Sequence, residues 1–306
     1  MDKDGAIKNR YEFIVLFDVE NGNPNGDPDA DNMPRMDNST NHGLVTDVCL
    51  KHKIRQYIQM LKEDEPEYDI YIKRNVTLNS SDFRAYEALG LDTSDRRDDA
   101  MKKIIKQAKK EKNIDEFVRD FMCKNFYDVR TFGAVMTTFT KNALNSGQVR
   151  GPVQIGFARS IDSIIPQEIT LTRTAITTEK DAEDKLNTIG RKYIVPYALY
   201  RAEGYISANL ARKVTGFSEE DLTLLWDAIA NMFEHDRSAS RGKMIVRELI
   251  IFKHDSELGN APAHKLFEKV TVARKADVDF PSSYQDYEVR VDDKMPAGVT
   301  CFKYLD

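Results

Sequence analysis

One apolar run near the start of the chain, Tyr11 to Val19 (YEFIVLFDV), constrains the fold more than any other segment. Its β-branched and aromatic residues are typical of a buried strand, and the Asn, Gly and Pro residues that follow end it. A second apolar run, MIVRELIIF from Met244 to Phe252, predicts another buried strand in the last third of the chain. The core of the fold is therefore expected to contain a sheet.

A helix is predicted after the first strand. Thr46 is a suitable N-cap, and Asp47 would lie in the first turn, where the helix dipole favours an acidic residue. Lys51, His52 and Arg55 fall largely off the apolar face of this helix. That face consists of Leu50, Ile54, Tyr57, Ile58 and Leu61.

Other segments add a second helix and several strands. The capping pattern Ser218-Glu-Glu-Asp221 opens the helix. Its apolar stripe is Leu222, Leu225, Trp226, Ile229 and Phe233. Strands are predicted at residues 68–74, 129–136, 153–161 and 193–205, and the charged stretch 96–126 is predicted to be helical. This order indicates an α+β fold compatible with a ferredoxin-like βαββαβ core that carries insertions.

Residues 170–195 predict an arm. Thr170 to Thr178 alternates polar and apolar residues, Thr188 to Val195 is extended in character, and a charged, turn-rich segment separates them. Such a pair is typical of a protruding hairpin that contacts a partner. A hairpin packed against its own domain fits the same pattern.

Composition bounds the class of protein. With 306 residues, of which 41% are hydrophobic, the chain can bury a large core. Its N-terminus lacks the apolar stretch of a signal peptide, and no window is apolar enough for a membrane span. Three scattered cysteines form no CxxC pair, as expected in a reducing compartment. We expect a soluble protein of the cytoplasm with no membrane partner.

Charge is unevenly distributed along the chain. The net charge of −5 argues against a protein that coats nucleic acid through a global basic excess. From Val129 to Ile161, however, there is no acidic residue, and this stretch contains Arg130, Lys141, Arg150 and Arg159. Residues 18–37 hold most of the acidic residues of the N-terminal region in one loop. Any site for a polyanion must therefore be local.

The acidic loop, FDVENGNPNGDPDADNMPR, suggests a metal site but does not complete one. Asp27, Asp29 and Asp31 have the spacing that begins an EF-hand calcium loop, but Asn32 and Asn38 replace the expected Gly and Glu. Paired carboxylates could instead hold a magnesium ion, but no second acidic cluster in the sequence clearly completes such a site. The histidines and cysteines show no metal spacing, and no phosphate-binding glycine motif occurs. We expect no metal, no cofactor and no catalytic constellation.

What remains is recognition of a phosphate backbone. Thr46 lies at the positive end of the helix dipole, and Lys51 and Arg55, one turn apart, could each pair with a phosphate. A solvated basic surface is the alternative for any single helix. The Gly- and Asn-rich loop before this helix and the acid-free stretch after Val129 favour the functional interpretation.

Five motifs in this order resemble a known family. They are NPNGDP (23–28), VTDVCLKHKIR (45–55), DVRTFGAVM (128–136), RGPVQIGFARSID (150–162) and GRKYIVPYALYRAEGYIS (190–207). Together they resemble the Cas-seven backbone proteins of CRISPR Cascade complexes, closest to the type I-C form. The resemblance extends from the first strand into the last third of the chain.

The resemblance implies a single elaborated domain over residues 1–306 with a modified RNA-recognition-motif fold. It implies a helical insertion at 76–126, a thumb-like hairpin at 163–195 and no catalysis. Such proteins polymerise along CRISPR RNA, and their thumb displaces bases so that the guide pairs with target DNA. The implied partners are CRISPR RNA, the target DNA strand, copies of the chain itself, and the repeat-handle-binding, large and small Cascade subunits.

The resemblance also assigns candidate residues. The RNA-binding candidates are Asn21, Asn23, Arg35, Thr46, Lys51, His52, Arg55, Arg150 and Arg159. The thumb candidates are Leu171, Arg173, Ile176, Leu186, Ile189 and Arg191, whose apolar members either enter between bases or pack within the hairpin. In the acidic loop we expect Arg35 to face RNA and the aspartates to face solvent or the basic surface of a neighbouring subunit.

Two other classes remain open. An RNA endonuclease that processes CRISPR repeats would need a general base, for which His42, His52 or His235 is available. A protein-interaction module would use the arm and the acidic loop to bind only other proteins.

Overall fold

The computed structural model describes residue 3 and residues 5–90, 92–94, 103, 114–136, 148–173 and 188–305. The strands are β1 (Tyr11–Gly22), β2 (Gly26–Asp27), β3 (Met33–Pro34), β4 (His42–Val45), β5 (Gly133–Val135), β6 (Gln148–Arg150), β7 (Val153–Ile155), β8 (Ala158–Ser163), β9 (Gln167–Arg173), β10 (Thr188–Ile206), β11 (Lys243–His254), β12 (Val270–Arg274), β13 (Tyr287–Val291) and β14 (Val299–Lys303). The helices are α1 (Asp47–Leu61), α2 (Leu78–Ala88), α3 (Ile114–Asn125), α4 (Tyr127–Phe132), α5 (Ala208–Leu210), α6 (Glu219–Asn231) and α7 (Ala263–Phe267). Short 3₁₀ turns lie at Pro28–Ala30, Pro66–Tyr68 and Tyr284–Asp286, and a π turn lies at Ala211–Thr215.

The two apolar runs predicted to be buried strands are neighbours in the main sheet. Its strands are arranged in the order β14-β11-β1-β10-β8-β4, and β7 and β9 also pair with β10. In β1, Tyr11 lies opposite Ile206 of β10 on one side and Lys253 of β11 on the other, and both pairings are antiparallel. Both strand predictions are confirmed.

Both faces of β1 are covered, which explains why Phe13 to Phe17 is an uninterrupted apolar run. Phe13 and Phe17 point into a core that also contains Ile54 of α1. Ile14 and Leu16 point the other way, into a core shared with α7, β12, β13 and β14. Because successive side chains of a strand alternate between faces, only a strand buried on both sides needs apolar residues at every position.

Local capping signals place the two helices of the first core. The Ser218 side chain accepts a hydrogen bond from the Asp221 amide, the Asp221 carboxylate accepts one from the Ser218 amide, and the predicted stripe of α6 is buried. The Thr46 side chain accepts a hydrogen bond from the Cys49 amide at the start of α1. Both predicted helix starts are confirmed.

The predicted strand at residues 68–74 is wrong. This segment begins in the turn Pro66–Tyr68 and makes a single bridge, from Asp69 to Phe126. The carboxylate of Asp128 accepts hydrogen bonds from the Tyr71 amide at 2.7 Å and the Ile72 amide at 3.1 Å. A side chain thus takes the backbone donors that a partner strand would otherwise use.

The predicted strand over Val129–Met136 is wrong in its first half. Residues Tyr127–Phe132 form α4, and only Gly133–Val135 is extended. Gly133 ends the helix with a φ of +80°, where a Cβ would lie 2.5 Å from the Gly151 amide nitrogen. The acid-free stretch therefore begins within a buried helix end, and a close approach of the Gly133 and Gly151 backbones follows.

The predicted helical stretch 96–126 is confirmed over Ile114–Asn125, and α2 precedes it. Both helices contribute to a separate apolar cluster that contains Phe83, Val118 and Phe126. None of the helices in the described ranges is long and apolar enough to cross a membrane.

The predicted arm is a pair of antiparallel strands in its described part. β9 pairs with the first part of β10 from Arg173 opposite Thr188 to Gln167 opposite Ile194. The second part of β10 belongs to the main sheet and contains the strand predicted at Tyr193 to Tyr205. Ile176 and Leu186 lie outside the described residues.

Candidate nucleic-acid interface

A cleft of about 800 Å³ lies where the first turn of α1 meets the loop between β1 and β4. Residues 23–35, the start of α1 and the loop before β11 form its walls. Its lining residues are Asn23, Pro24, Asn25, Gly26, Asn32, Arg35, Thr46, Asp47, Val48, Cys49, His52, Lys53, Arg74, Phe157, Ser238, Ser240 and Arg241.

The Asn-Pro-Asn-Gly segment is attached directly to the helix start. The Asn25 side-chain oxygen accepts hydrogen bonds from both the amide and the hydroxyl of Thr46, each at 3.0 Å. The Arg35 amide donates to the Asn25 carbonyl at 3.0 Å. These contacts set the position of the loop relative to the positive end of the α1 dipole.

The loop before β11 closes the opposite wall of the cleft. The Asn23 amide donates to the Ser240 carbonyl at 2.8 Å. A Cβ at Gly22 would lie only 1.8 Å from the Arg241 carbonyl oxygen, so a larger residue there would push the two loops apart. Asn21, at the end of β1, adopts a left-handed φ of 51° beside this contact.

Three polar atoms in residues that line this cleft are shielded from solvent and have no hydrogen-bond partner among the described residues. They are Oδ1 of Asn23, Nε of Arg35 and Nε2 of His52. Buried polar groups are normally hydrogen-bonded, so three such atoms in the walls of one cleft are unusual. A guanidinium Nε can donate to a phosphate oxygen, and an amide oxygen can accept from a hydroxyl.

Among the described lining residues, four cations, Arg35, Lys53, Arg74 and Arg241, stand against one carboxylate, that of Asp47. Asp47 is neutralised by Lys51, whose Nζ lies 2.9 Å from its carboxylate. The cleft therefore presents a local cationic excess in a chain of negative net charge.

These cations differ in how far they are already paired. Lys53 and Arg241 both contact the carboxylate of Asp236, whereas Arg35 makes only a 3.4 Å contact with Asp27. Arg74 is exposed and has no ion pair with another described residue. Arg35 and Arg74 are therefore the cations of the cleft most available to an anion.

His52 is electrostatically coupled to these cations. Partial burial, followed by the nearby charges of Arg74 and Lys53, lowers the pKa of His52 from its ordinary value of 6.5. The imidazole is therefore mostly neutral at pH 7.

The acidic loop uses some of its carboxylates internally. Asp27 accepts a hydrogen bond from the Asp29 amide at 3.2 Å, and Asp37 pairs with Arg159 at 2.8 Å. The Ser39 amide and then Arg159 lower the pKa of the Asp37 carboxyl. Asp29 and Asp31 are exposed at the loop tip. No group of three His, Cys, Asp or Glu residues in the described part of the chain is arranged to hold a metal ion.

The structure brings together Asn23, Arg35, Thr46 and His52 in one cleft and places Asn21 at its edge. Lys51 is partly buried in its pair with Asp47 and does not line the cleft. Arg150, on β6, and Arg159, on β8, do not line the cleft.

The prediction that Arg55 lies off the buried face of α1 is wrong. Its side chain is 9% exposed, and its Nε donates to the Asp128 carboxylate at 2.8 Å. A guanidinium that is buried and paired with a buried carboxylate ties α1 to α4, so Arg55 is not available to a phosphate.

Sequence reasoning missed Asn25, Arg74, Phe157 and Arg241 as residues of the cleft. Asn25 belongs to a segment whose composition predicts a loop, but its acceptor role depends on the position of Thr46. Arg74, Phe157 and Arg241 come from three distant parts of the chain, and no local pattern relates them.

The described thumb candidates lie on the paired strands β9 and β10. Leu171 is 47% exposed, and Arg191 is exposed and paired with Glu168 at 3.1 Å. Arg173 lies opposite Thr188, and Ile189 lies opposite Thr172. The neighbouring Lys192 donates from Nζ to the Ala239 carbonyl at 2.7 Å, which connects the base of these strands to the loop that walls the cleft.

The three histidines considered as a general base line three different concavities. His52 faces the cleft at α1, His42 lines a concavity beside β8, and His235 lines another between α1 and α6. The fold does not bring them together.

Comparison with known proteins identifies the family. The family model described as "CRISPR-associated protein Cas7" matches residues 9–292. A CRISPR-associated protein Cas7 of Haloferax volcanii is 26% identical over 272 residues, which cover 82% of this chain and 72% of that protein.

Two solved structures are similar at lower identity. A chain of "CRISPR RNA-guided surveillance complex, pre-nicking" gives a TM-score of 0.49 at 13% identity, covering 89% of this chain and 84% of that chain. A chain of a type III-B Cmr-beta complex bound to cognate target RNA gives a TM-score of 0.41 at 10% identity, and the match covers 79% of this chain and 61% of that chain. Because the family model matches residues 9–292 of the 306 in this chain, the chain belongs to the CRISPR-associated protein Cas7 family.

Proposed function

We propose that this chain is the non-catalytic backbone subunit of a type I Cascade complex, of the type I-C form, that polymerises along CRISPR RNA in the cytoplasm. It grips guide phosphates and kinks the guide for pairing with a target DNA strand. Its neighbours in the complex are further copies of itself and the repeat-handle-binding, large and small subunits.

One observation carries this proposal. The cleft at the start of α1 combines a helix N-terminus, a local cationic excess and three unsatisfied polar atoms. A helix N-terminus and Arg side chains are suited to phosphate, and phosphate contacts position a strand without reading its sequence. The orphan Asn23 oxygen adds an acceptor of the kind that a ribose 2′-hydroxyl can satisfy, as expected for RNA.

The topology supports a modified RNA-recognition-motif fold. The order β11-β1-β10-β8, antiparallel throughout, with α1 and α6 on one face, has the arrangement of a ferredoxin-like βαββαβ core. The second apolar cluster supports the helical insertion at 76–126, and the β9–β10 pairing supports the thumb at 163–195 within one elaborated domain.

The tip of the acidic loop supports contact between copies. Asp29 and Asp31 are exposed and carry no ion pair with another described residue. On this proposal they face the basic surface of the next subunit. A head-to-tail contact that does not close generates a filament, which is the geometry needed to coat a guide.

Co-expression with the chain's own CRISPR array and neighbouring proteins tests the proposal. We expect the purified assembly to retain guide-length RNA that is released steeply as salt rises, since phosphate contacts release counterions. An assembly that forms without RNA would instead support a protein-only module. Cleavage of a CRISPR repeat by the isolated chain would support the endonuclease alternative.

The lowered pKa of His52 predicts a pH dependence of RNA binding. Protonation adds a positive charge to the cleft, so affinity for guide-length RNA should rise about two- to tenfold between pH 7.5 and 5.5, and bound RNA should raise the pKa of His52. In the free protein we expect the opposite trend in stability. Because folding lowers the pKa of His52 below its ordinary value of 6.5, the stabilising contribution of the neutral imidazole is present above pH 6.5 and is lost as the pH falls through the folded value.

Fluorescence anisotropy over this pH range measures the effect on binding. His52→Gln should flatten the dependence, whereas His264→Gln, at an exposed position outside the cleft, should leave it unchanged. An unchanged pH dependence in His52→Gln would show that another group is responsible.

A further inference from the structure

The short connection between β7 and β8 presents an aromatic ring at the boundary of two concavities. Phe157 is 58% exposed, and the Gly156 amide before it donates to the Glu203 carbonyl at 2.8 Å, which holds the connection against β10. Phe157 lines both the cleft at α1 and a second concavity of about 500 Å³ beside β8 and β10. Its ring therefore stands between the two.

Strand register explains how the ring comes to lie beside the helix start. Ala158, the first residue of β8, pairs with Val45, and Val45 immediately precedes the N-cap Thr46. Ala158 is buried, whereas Phe157 and Arg159 on either side of it are exposed, as the alternation of a strand requires. The pairing of β4 with β8 thus positions the start of α1 and also directs Phe157 outward beside the N-terminal end of that helix.

The surroundings of Phe157 suit a flat apolar ligand attached to a phosphate. Among the described residues, its ring makes no contact with another aromatic ring or a cation. Each concavity that Phe157 lines contains one further exposed apolar group: Val48 in the α1 cleft, 68% exposed, and Tyr205 in the second concavity, 42% exposed. Tyr205 is held in place by an edge-on contact with Phe267, with ring centroids 5.5 Å apart.

We propose that Phe157 stacks on a base of the bound guide where the strand passes from the α1 cleft into the second concavity. This inference rests on the proposed function, since it takes the α1 cleft as the phosphate site. Stacking on an aromatic ring tolerates any sequence because every base has a π-face, which suits a protein that must accept any spacer. Phosphate contacts and base stacking would thus be divided between adjacent surfaces.

Binding of guide-length RNA to wild-type protein, Phe157→Ala and Phe157→Trp tests the inference. Fluorescence anisotropy gives the affinity, and 2-aminopurine placed along the RNA reports stacking through quenching of its emission. Phe280→Ala is the matched control, because Phe280 is also exposed, at 86%, but lines neither concavity.

We expect Phe157→Ala to weaken binding about tenfold and to relieve quenching at the 2-aminopurine positions that wild-type protein quenches. The salt dependence should stay unchanged, Phe157→Trp should restore affinity, and Phe280→Ala should bind like wild type. On RNA with abasic sites at the quenched positions, the Phe157→Ala defect should disappear.

Affinity within twofold of wild type for Phe157→Ala, or an equal defect on abasic RNA, would overturn the stacking role. If Arg35→Ala still failed to retain RNA in that case, the phosphate site would stand and only the stacking inference would fail. Failure of the wild-type assembly to bind RNA would overturn the proposed function, and the stacking role with it.

Discussion

Replacing Asp221 with alanine is expected to lower the free energy of unfolding by about 3–5 kcal/mol, because it leaves Arg130 charged and unpaired in the interior. The two side chains form a bidentate pair, with Nη2 to Oδ1 at 2.8 Å and Nε to Oδ2 at 2.9 Å. Both residues are buried, and Arg130 also donates to the Cys123 carbonyl at 2.9 Å. The pair therefore joins α6 of the main core to the α3–α4 corner.

Denaturant unfolding followed by circular dichroism measures this effect, and matched variants separate the two roles of Asp221. Ser218→Ala removes only the helix cap and should cost about 1 kcal/mol. Glu219→Ala removes an exposed carboxylate from the same helix turn and should cost less than about 1 kcal/mol. A destabilisation by Asp221→Ala no larger than that by Ser218→Ala would mean that the Arg130 pair adds nothing to stability.

Replacing Arg35 with alanine is expected to weaken binding of guide-length RNA by about 10- to 100-fold per site, since it removes a charge-assisted hydrogen bond to phosphate. The Arg35 side chain is 31% exposed, its Nε lacks a partner among the described residues, and its contact with Asp27 is long at 3.4 Å. The change therefore costs little within the protein but removes a weakly paired cation that lines the cleft.

Retention of RNA in the co-expressed assembly and a salt titration of RNA affinity together measure this effect. The slope of log affinity against log salt should become shallower by about 0.7 for each phosphate that the variant no longer neutralises. Arg35→Lys keeps the charge but not the Nε donor and should fall between wild type and alanine.

Asp29→Ala, an exposed change in the same loop, is the control and should retain RNA like wild type. Equal retention of RNA by Arg35→Ala and wild type would show that the phosphate site lies elsewhere. If the protein cleaved RNA in the presence of divalent ions and Asp29→Ala abolished that cleavage, the loop would be a metal site and its proposed RNA-binding role would be wrong.

Features set by neighbouring residues were predictable from the sequence. The strand at Tyr11 and the strand at Met244 follow from continuous apolar runs, and the starts of α1 and α6 follow from Thr46 and Ser218. In each case the stabilising contacts are local, or the burial is so complete that any fold must place the segment inside.

Features that depend on distant partners were not predictable. Asp128 takes the backbone amides of Tyr71 and Ile72 and the guanidinium of Arg55, and so converts an expected strand into a turn and an expected surface cation into a buried one. The strand propensity of residues 68–74 is outweighed because the buried Asp128 carboxylate accepts hydrogen bonds both from this segment and from Arg55 of α1.

The two buried strands, the capped helices and the family are thus readable from the amino-acid order, since they depend on apolar runs, helix period and ordered local motifs. Which cations line the cleft depends instead on how the chain folds. Arg35, Arg74 and Arg241 reach it from separate parts of the chain, while Arg55 and Arg130 turn inward to Asp128 and Asp221. A charged residue looks the same in a sequence whether its partner is a phosphate or a buried carboxylate, and only the three-dimensional position of that carboxylate distinguishes the two.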